Sequence, residues 1–219
     1  MRRFALPRRE WLAALLGAVL VVLAYPPFHL FLPSFVCLVP AVWLIVQADG
    51  DPRAGRRHLL QGFWYGLFAN GLVLYWMVVA LWHFTPLSAL GYAATIFVEA
   101  LWWGVIFALT GWLRRRTALP LPLLFAIIWT AVEWMIGHQG DIRFPWLGLG
   151  TSLTGYLWPI QIAEWIGARG ITFLLVLANG VLALAWVHRA DGPRAKRLVG
   201  YVLAAVVLAT GIGAIRAKT

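Results

Sequence analysis

Three glutamates, Glu99, Glu133 and Glu164, lie in or at the edge of long apolar stretches of the sequence. A charged side chain in lipid is costly, so such residues usually face the interior of a helix bundle or a wet cavity. One interpretation is a polar lining for a lipid headgroup or an ion path. The other is a hydrogen-bonded or protonated carboxyl that ties helices together. We favour the second for Glu99, whereas both remain open for Glu133 and Glu164.

Candidate nucleophiles are few. The single cysteine, Cys37, lies in an apolar run, where a desolvated thiol is a poor nucleophile, and we interpret it as a small core residue. His138, Asp141 and Ser152 are the residue types of an acyl-transfer triad. No G-x-S-x-G turn surrounds Ser152 to present its hydroxyl, so we do not expect a triad.

The sequence predicts neither a metal ion nor a cofactor. One cysteine excludes a multi-cysteine metal site. His29 and His83 have no carboxylates near them in sequence, so they make a poor metal site and are interpreted as residues of the membrane interface.

The elements that position these residues must be largely apolar. The chain has 219 residues, of which 62% are hydrophobic and only 12% charged, with a mean hydropathy of +0.81. A soluble domain carries about 25% charged residues. The apolar residues also form long blocks between short polar clusters, which predicts an all-α, polytopic transmembrane bundle with residues 1–219 as a single domain.

We predict about seven membrane spans, of which the first is interpreted as an uncleaved helix because no small-residue cleavage site follows it. Asn70 and Asn179 lie inside spans and are expected to form interhelical hydrogen bonds. The predicted spans cover residues 11–27, 30–47, 59–82, 87–112, 119–137, 161–187 and 198–215.

The distribution of Lys and Arg predicts a cytoplasmic N-terminus and a periplasmic C-terminus. With that orientation 14 basic residues are cytoplasmic and four are not, namely Arg143, Arg169, Arg216 and Lys218. Because the basic residues sit in short clusters between apolar blocks, the net charge of +10 reflects topology, and we expect no nucleic acid partner. The cytoplasmic residues are Arg2, Arg3, Arg8, Arg9, Arg53, Arg56, Arg57, Arg114, Arg115, Arg116, Arg189, Arg194, Lys196 and Arg197.

The longest periplasmic connection, residues 138–159, is too apolar for a solvated loop and too rich in glycine and proline for a helix. Trp146, Tyr156 and Trp158 suit a membrane interface. We therefore predict a re-entrant or interfacial segment, whose irregular backbone must be covered by protein or line a wet cavity.

Four stretches, in this order and spacing, resemble the N-terminal membrane half of bacterial apolipoprotein N-acyltransferase. The resemblance covers nearly the whole chain. The stretches are AYPPF at 24–28; QGF at 61–63 with Gly66; WT at 129–130 with Glu133 and Trp134, followed by FPWL at 144–147; and QIA at 161–163 with Gly167, Gly170 and FL at 173–174.

The resemblance implies an inner-membrane protein of lipoprotein biosynthesis that acts in acyl transfer from a phospholipid to a lipoprotein. In that family the catalytic Glu, Lys and Cys belong to a periplasmic nitrilase-like domain, which these residues do not include. Such chemistry needs an activated thiolate, a base and a cation in one aqueous pocket. Cys37, Lys196 and Lys218 cannot meet in one. We therefore predict no catalytic residue and leave open whether the chain is an enzyme.

Our first interpretation is an acyltransferase-like membrane domain that holds phospholipid and is inactive without a nitrilase-like domain. Its expected partners are phospholipid, a nitrilase-like chain, a lipoprotein substrate or other membrane subunits. The alternative is a non-catalytic scaffold subunit of a larger membrane complex. The candidate lipid or partner contacts lie within the 138–159 connection or in the helices beside it. They are Glu133, Trp134, Phe144, Pro145, Trp146 and Glu164.

Overall fold

The computed structural model describes residues 6–216, and Arg2, Arg3 and Lys218 of the charge count lie outside them. Over those residues the chain contains helices and no strand, in agreement with the all-α prediction. The α-helices are α1 (Arg8–Ala24), α2 (Pro33–Val36), α3 (Val39–Gln47), α4 (Ala54–Val73), α5 (Trp76–Leu81), α6 (Ser88–Arg114), α7 (Leu121–Ile136), α8 (Leu157–Ile160), α9 (Ala163–Val187) and α10 (Gly192–Arg216).

Three of the described helices are long and apolar enough to cross a bilayer: α6 with 27 residues, and α9 and α10 with 25 each. The α2–α3 segment and α7 are apolar but shorter. Every predicted span coincides with helical structure, while the number that cross a membrane stays a prediction.

Two of the predicted spans are broken helices. The second divides into α2 and α3 between Val36 and Val39, and the third divides into α4 and α5. Pro40 in the first turn of α3 has no N–H to donate, which is why a helix tolerates it at its start but not in its interior.

The break between α2 and α3 is held by Asn179 on α9. Its Oδ1 accepts a hydrogen bond from the backbone N–H of Leu38 at 2.7 Å, and its Nδ2 donates to the carbonyl of Ser34 at 2.9 Å. The predicted interhelical role of Asn179 is therefore confirmed. Asn70 is also buried, but within residues 6–216 its Nδ2 has no hydrogen-bond partner.

Helices α4 and α6 pack closely because small residues line their contact. A Cβ added at Gly62 would come within 2.4 Å of the carbonyl oxygen of Trp103, and one at Gly66 within 2.7 Å of the Trp103 side chain. Small residues let helix backbones approach in this way inside membranes.

Charged residues join neighbouring elements at one end of the bundle. Arg57 at the start of α4 forms an ion pair with Glu10 in α1, and Arg114 at the end of α6 pairs with Asp49 at 2.5 Å. Glu10 is only 2% exposed and also accepts a hydrogen bond from Gln61 at 2.9 Å. The starts of α1 and α4 and the end of α6 therefore lie together.

The sequence suggested an irregular backbone for the 138–159 connection, but the structure forms short helical turns there. The connection forms three short 3-10 helices, Gly140–Ile142, Pro145–Leu147 and Leu149–Leu153, and then α8. Each piece has five residues or fewer. The glycines and prolines therefore prevent a long helix in this segment, but they allow single helical turns. Leu149, Ser152 and Leu153 are buried against the bundle.

Candidate functional site

Glu133 links α7, α9 and the 138–159 connection. Its carboxylate forms an ion pair with Arg169 on α9 and accepts a hydrogen bond from the hydroxyl of Thr172, on the same helix, at 3.0 Å. It also accepts the backbone N–H of Leu149 at 3.1 Å. Both oxygens are thus engaged, and the Glu133 side chain is 11% exposed. Buried ionised groups are tolerated when they are paired and hydrogen-bonded in this way.

Two glycines allow the connection to lie against this cluster. A Cβ at Gly148 would stand 3.0 Å from Oε1 of Glu133. One at Gly150 would stand 2.7 Å from the carbonyl oxygen of Ala168 in α9, where the Gly150 N–H donates to Thr172 at 2.9 Å. From the other side Tyr25 donates its hydroxyl to the carbonyl of Gly148 at 3.0 Å.

A small cavity of about 30 Å³ opens beside Glu133, large enough for a water molecule. Glu99, only 4% exposed, faces this cavity, and within residues 6–216 its carboxyl makes no hydrogen bond. The Arg169 side chain is one third exposed. The wall is formed by Glu99, Trp103, Ile106, Trp129, Glu133, Ile136, Phe144, Pro145, Leu147, Gly148 and Arg169.

The structure brings three of the six candidate contacts to this cavity: Glu133, Phe144 and Pro145. Phe144 is half-buried and Pro145 is exposed. The arrangement combines two carboxylates and one cation with aromatic walls. It can hold a small polar group or order water at the C-terminal end of α7.

The other three candidates, Trp134, Trp146 and Glu164, do not line the cavity. Trp134 is 52% exposed, and its ring stacks on that of His138 with centroids 4.3 Å apart. Trp146 is 63% exposed, with its ring 6.2 Å from that of Trp76. Trp146 also lies beside Phe144 of the cavity wall, with ring centroids 6.5 Å apart.

Glu164 is half-exposed and forms a two-pronged ion pair with Arg216 at the end of α10, at 2.7 and 3.1 Å. It therefore joins the start of α9 to the end of α10. Between Glu164 and Arg169, Gly167 adopts a φ of 68°, a left-handed value that glycine reaches without strain, and so interrupts the first turns of α9.

The residues considered for nucleophilic catalysis are hydrogen-bonded to the protein or buried. Ser152 is fully buried, and its hydroxyl bonds to Ser34 at 2.9 Å and to the carbonyl of Leu149 at 2.7 Å. His138 bonds through Nδ1 to the carbonyl of Trp134 at 2.7 Å. Cys37 is fully buried between α2 and α3, as expected of a core residue.

Arg169 and Thr172 are site residues that the sequence reasoning missed. Arg169 was counted only as one of the few periplasmic charges. A signal was available, since Arg169 lies just inside an apolar stretch of 161–187 and Glu133 near the end of the preceding one. Opposite charges at facing ends of consecutive spans indicate a pair.

Comparison with known proteins connects this arrangement to one family. The family model described as the apolipoprotein N-acyltransferase N-terminal domain matches residues 17–181. Among curated relatives, the apolipoprotein N-acyltransferase of Gloeobacter violaceus is 30% identical over 96% of this chain, and that of Bradyrhizobium diazoefficiens is 33% identical over 94%. The enzyme of Caulobacter vibrioides is 32% identical over 92%.

The chain spans only about two fifths of the length of these relatives: 40%, 39% and 37% respectively. The match falls on the domain that the family model names as N-terminal, as the sequence resemblance implied. Together with several apolar helices this makes it a multi-pass membrane protein. The chain belongs to the apolipoprotein N-acyltransferase N-terminal domain family.

Proposed function

We propose that this chain is the membrane domain of an apolipoprotein N-acyltransferase of the bacterial inner membrane. In this role it holds phospholipid and docks a periplasmic nitrilase-like domain. The observation that carries the proposal is the family match over residues 17–181, three quarters of the chain. The relatives' extra length supports a second domain as the partner.

The proposed site of lipid or partner contact is the cavity beside Glu133 together with the exposed side chains of Trp134 and Trp146. Glu133 binds the connection through the backbone N–H of Leu149 and is itself held by Arg169 and Thr172 on α9, so Phe144 and Pro145 are presented on a supported backbone. Trp134 and Trp146 add exposed aromatic side chains, and exposed apolar surface is typical of a membrane or partner contact. Glu164 contributes indirectly, by holding α10 against the start of α9.

The proposed orientation puts the N-terminus in the cytoplasm and this site in the periplasm, with seven spans. The ion pairs support it. Glu10–Arg57 and Asp49–Arg114 join helix ends that carry the cytoplasmic arginine clusters. Glu164–Arg216 brings the end of α10 to the start of α9, the same end of that helix from which Arg169 reaches Glu133.

In this proposal the chain alone transfers no acyl group. Cys37 is buried in the bundle, while Lys196 lies near the start of α10 and is exposed. Within residues 6–216, the buried thiol and the exposed amine therefore do not share an aqueous pocket. The test is an acyl-transfer assay of the purified chain with phospholipid and a diacylated lipopeptide, for which we expect no turnover. Turnover that disappears in Cys37→Ala would contradict the proposal.

A further inference from the structure

An open groove runs along the outer surface of the bundle, towards the end away from Glu133. It has a volume of about 600 Å³, within the range of sites that bind whole small molecules. Its walls come from α1, the α2–α3 break, and the ends of α9 and α10 that face each other. Leu16, Trp43 and Leu182 are typical of a lining that is almost entirely apolar.

The groove has the depth of one leaflet. Along α1 it extends from Arg9 to Leu20. At 1.5 Å per residue that separation is about 16 Å, roughly half of the 30 Å hydrocarbon core. An acyl chain lying in the groove with its headgroup at Arg9 therefore ends near the bilayer midplane.

Two arginines stand at the mouth of the groove, one from each wall. Arg9 belongs to the first turn of α1, and Arg189 follows the end of α9. The Arg189 side chain is held in place, because it donates to the carbonyl of Trp186 at 3.1 Å and lies 4.9 Å above the Trp186 ring. Its remaining N–H groups are available for a ligand.

Carboxylates near these arginines are engaged with other groups. Glu10, next to Arg9, is turned inward and paired with Arg57. Asp191, two residues after Arg189, accepts the backbone N–H of Arg194 at 3.1 Å. Neither Arg9 nor Arg189 takes part in an ion pair with a residue in the described 6–216 range.

We propose that this groove binds one anionic glycerophospholipid of the cytoplasmic leaflet, with its phosphate between Arg9 and Arg189 and an acyl chain along Leu16 and Leu182. Arginine is suited to this, because its planar guanidinium can give two parallel hydrogen bonds to a phosphate. The site lies at the opposite end of α1 and α9 from the Glu133 cluster, so it is separate from any acyl donor that the periplasmic face would take.

The test uses the whole chain, purified and delipidated in detergent, with dioleoylphosphatidylglycerol and dioleoylphosphatidylcholine as probes in native mass spectrometry. We expect tighter binding of phosphatidylglycerol. The double variant Arg9→Gln/Arg189→Gln should lose about 30-fold in affinity for it, at ~1 kcal/mol per basic residue near an anionic surface. Arg8→Gln/Arg197→Gln makes the same charge change outside the groove and should leave the affinity unchanged.

Two further arms identify the ligand. Val199→Trp fills the groove from α10 without altering either arginine and should weaken phosphatidylglycerol binding. Free glycerol phosphate, which lacks acyl chains, should not displace the lipid. Equal affinity of the wild type for both lipids, or equal losses in the two double variants, would overturn the site, as would displacement by glycerol phosphate. None of these readouts depends on acyl transfer.

Discussion

Arg169 on α9 donates to the carboxylate of Glu133 on α7, and this pair is one point at which the 138–159 connection is fixed to the bundle. The same carboxylate accepts the N–H of Leu149 from the connection itself. Loss of either charge leaves the other without its partner in a mostly buried place, which costs more than loss of both.

Glu133→Gln and Arg169→Met are each expected to lower the free energy of unfolding by about 1–3 kcal/mol. The double variant should lose clearly less than the sum, because neither charge is then left alone. Thermal unfolding in detergent measures this cycle. Glu164→Gln, which breaks a half-exposed pair with Arg216, is the control and should cost less than 1 kcal/mol, about the limit for exposed pairs. Strict additivity of the Glu133 and Arg169 variants would contradict the coupling.

Gly150→Ala should loosen the connection from α9. The added methyl would stand 2.7 Å from the Ala168 carbonyl oxygen and 3.1 Å from the Thr172 hydroxyl, so the backbone has to move, at a cost of about 1–3 kcal/mol. Limited proteolysis should then cut within 138–159 sooner. Gly91→Ala in α6 adds the same methyl in open space and should leave cleavage unchanged without lowering stability, because alanine favours a helix over glycine. Equal behaviour of the two variants would mean that the close approach at Gly150 does not hold the connection.

Reporter fusions test the orientation. Fusions after Arg57 and Arg116 should report the cytoplasm, and fusions after Asp141 and Thr219 the periplasm, because the Lys and Arg excess stays in the cytoplasm. A cytoplasmic signal at Thr219 would mean that the number of spans is not seven.

Trp146→Ala should weaken the binding of phospholipid vesicles, or of the segment that follows the matched region in a relative, by about fivefold, the ~1 kcal/mol typical of a contributing interface residue. The bundle should stay folded, because Trp146 is 63% exposed. Trp146→Phe keeps an aromatic ring and is the matched variant. If both variants leave binding intact and merely lower thermal stability alike, Trp146 is an interfacial anchor and no binding residue.

The ends of α6, α7 and α9 could be predicted to within two residues because the apolar runs there are long and carry few charged residues. The division of the second span at Cys37 could not. Pro40 lies just after the break, but the N–H of Leu38 is satisfied by Asn179, 141 residues later in the chain. Only the packing of α9 against α2 and α3 reveals that partner.

The candidate site was predictable in the same uneven way. Glu133 was identified because a carboxylate in an apolar run requires a partner. The partner itself, Arg169, was not identified, because charge counting assigns it to a side of the membrane and says nothing of its neighbours. Glu99 lines the cavity because α6 packs beside α7, and the sequence does not reveal that packing.

The most direct test of the proposed function is acyl transfer by a chimera. In it, this chain replaces the matching N-terminal segment of the Bradyrhizobium diazoefficiens apolipoprotein N-acyltransferase, to which it is 33% identical. Turnover of a diacylated lipopeptide is measured with phospholipid as donor. The account predicts turnover by the chimera, none by this chain alone, and reduced turnover by the chimera carrying Trp146→Ala. A folded, membrane-inserted chimera that transfers no acyl group, or turnover by this chain alone, would contradict it.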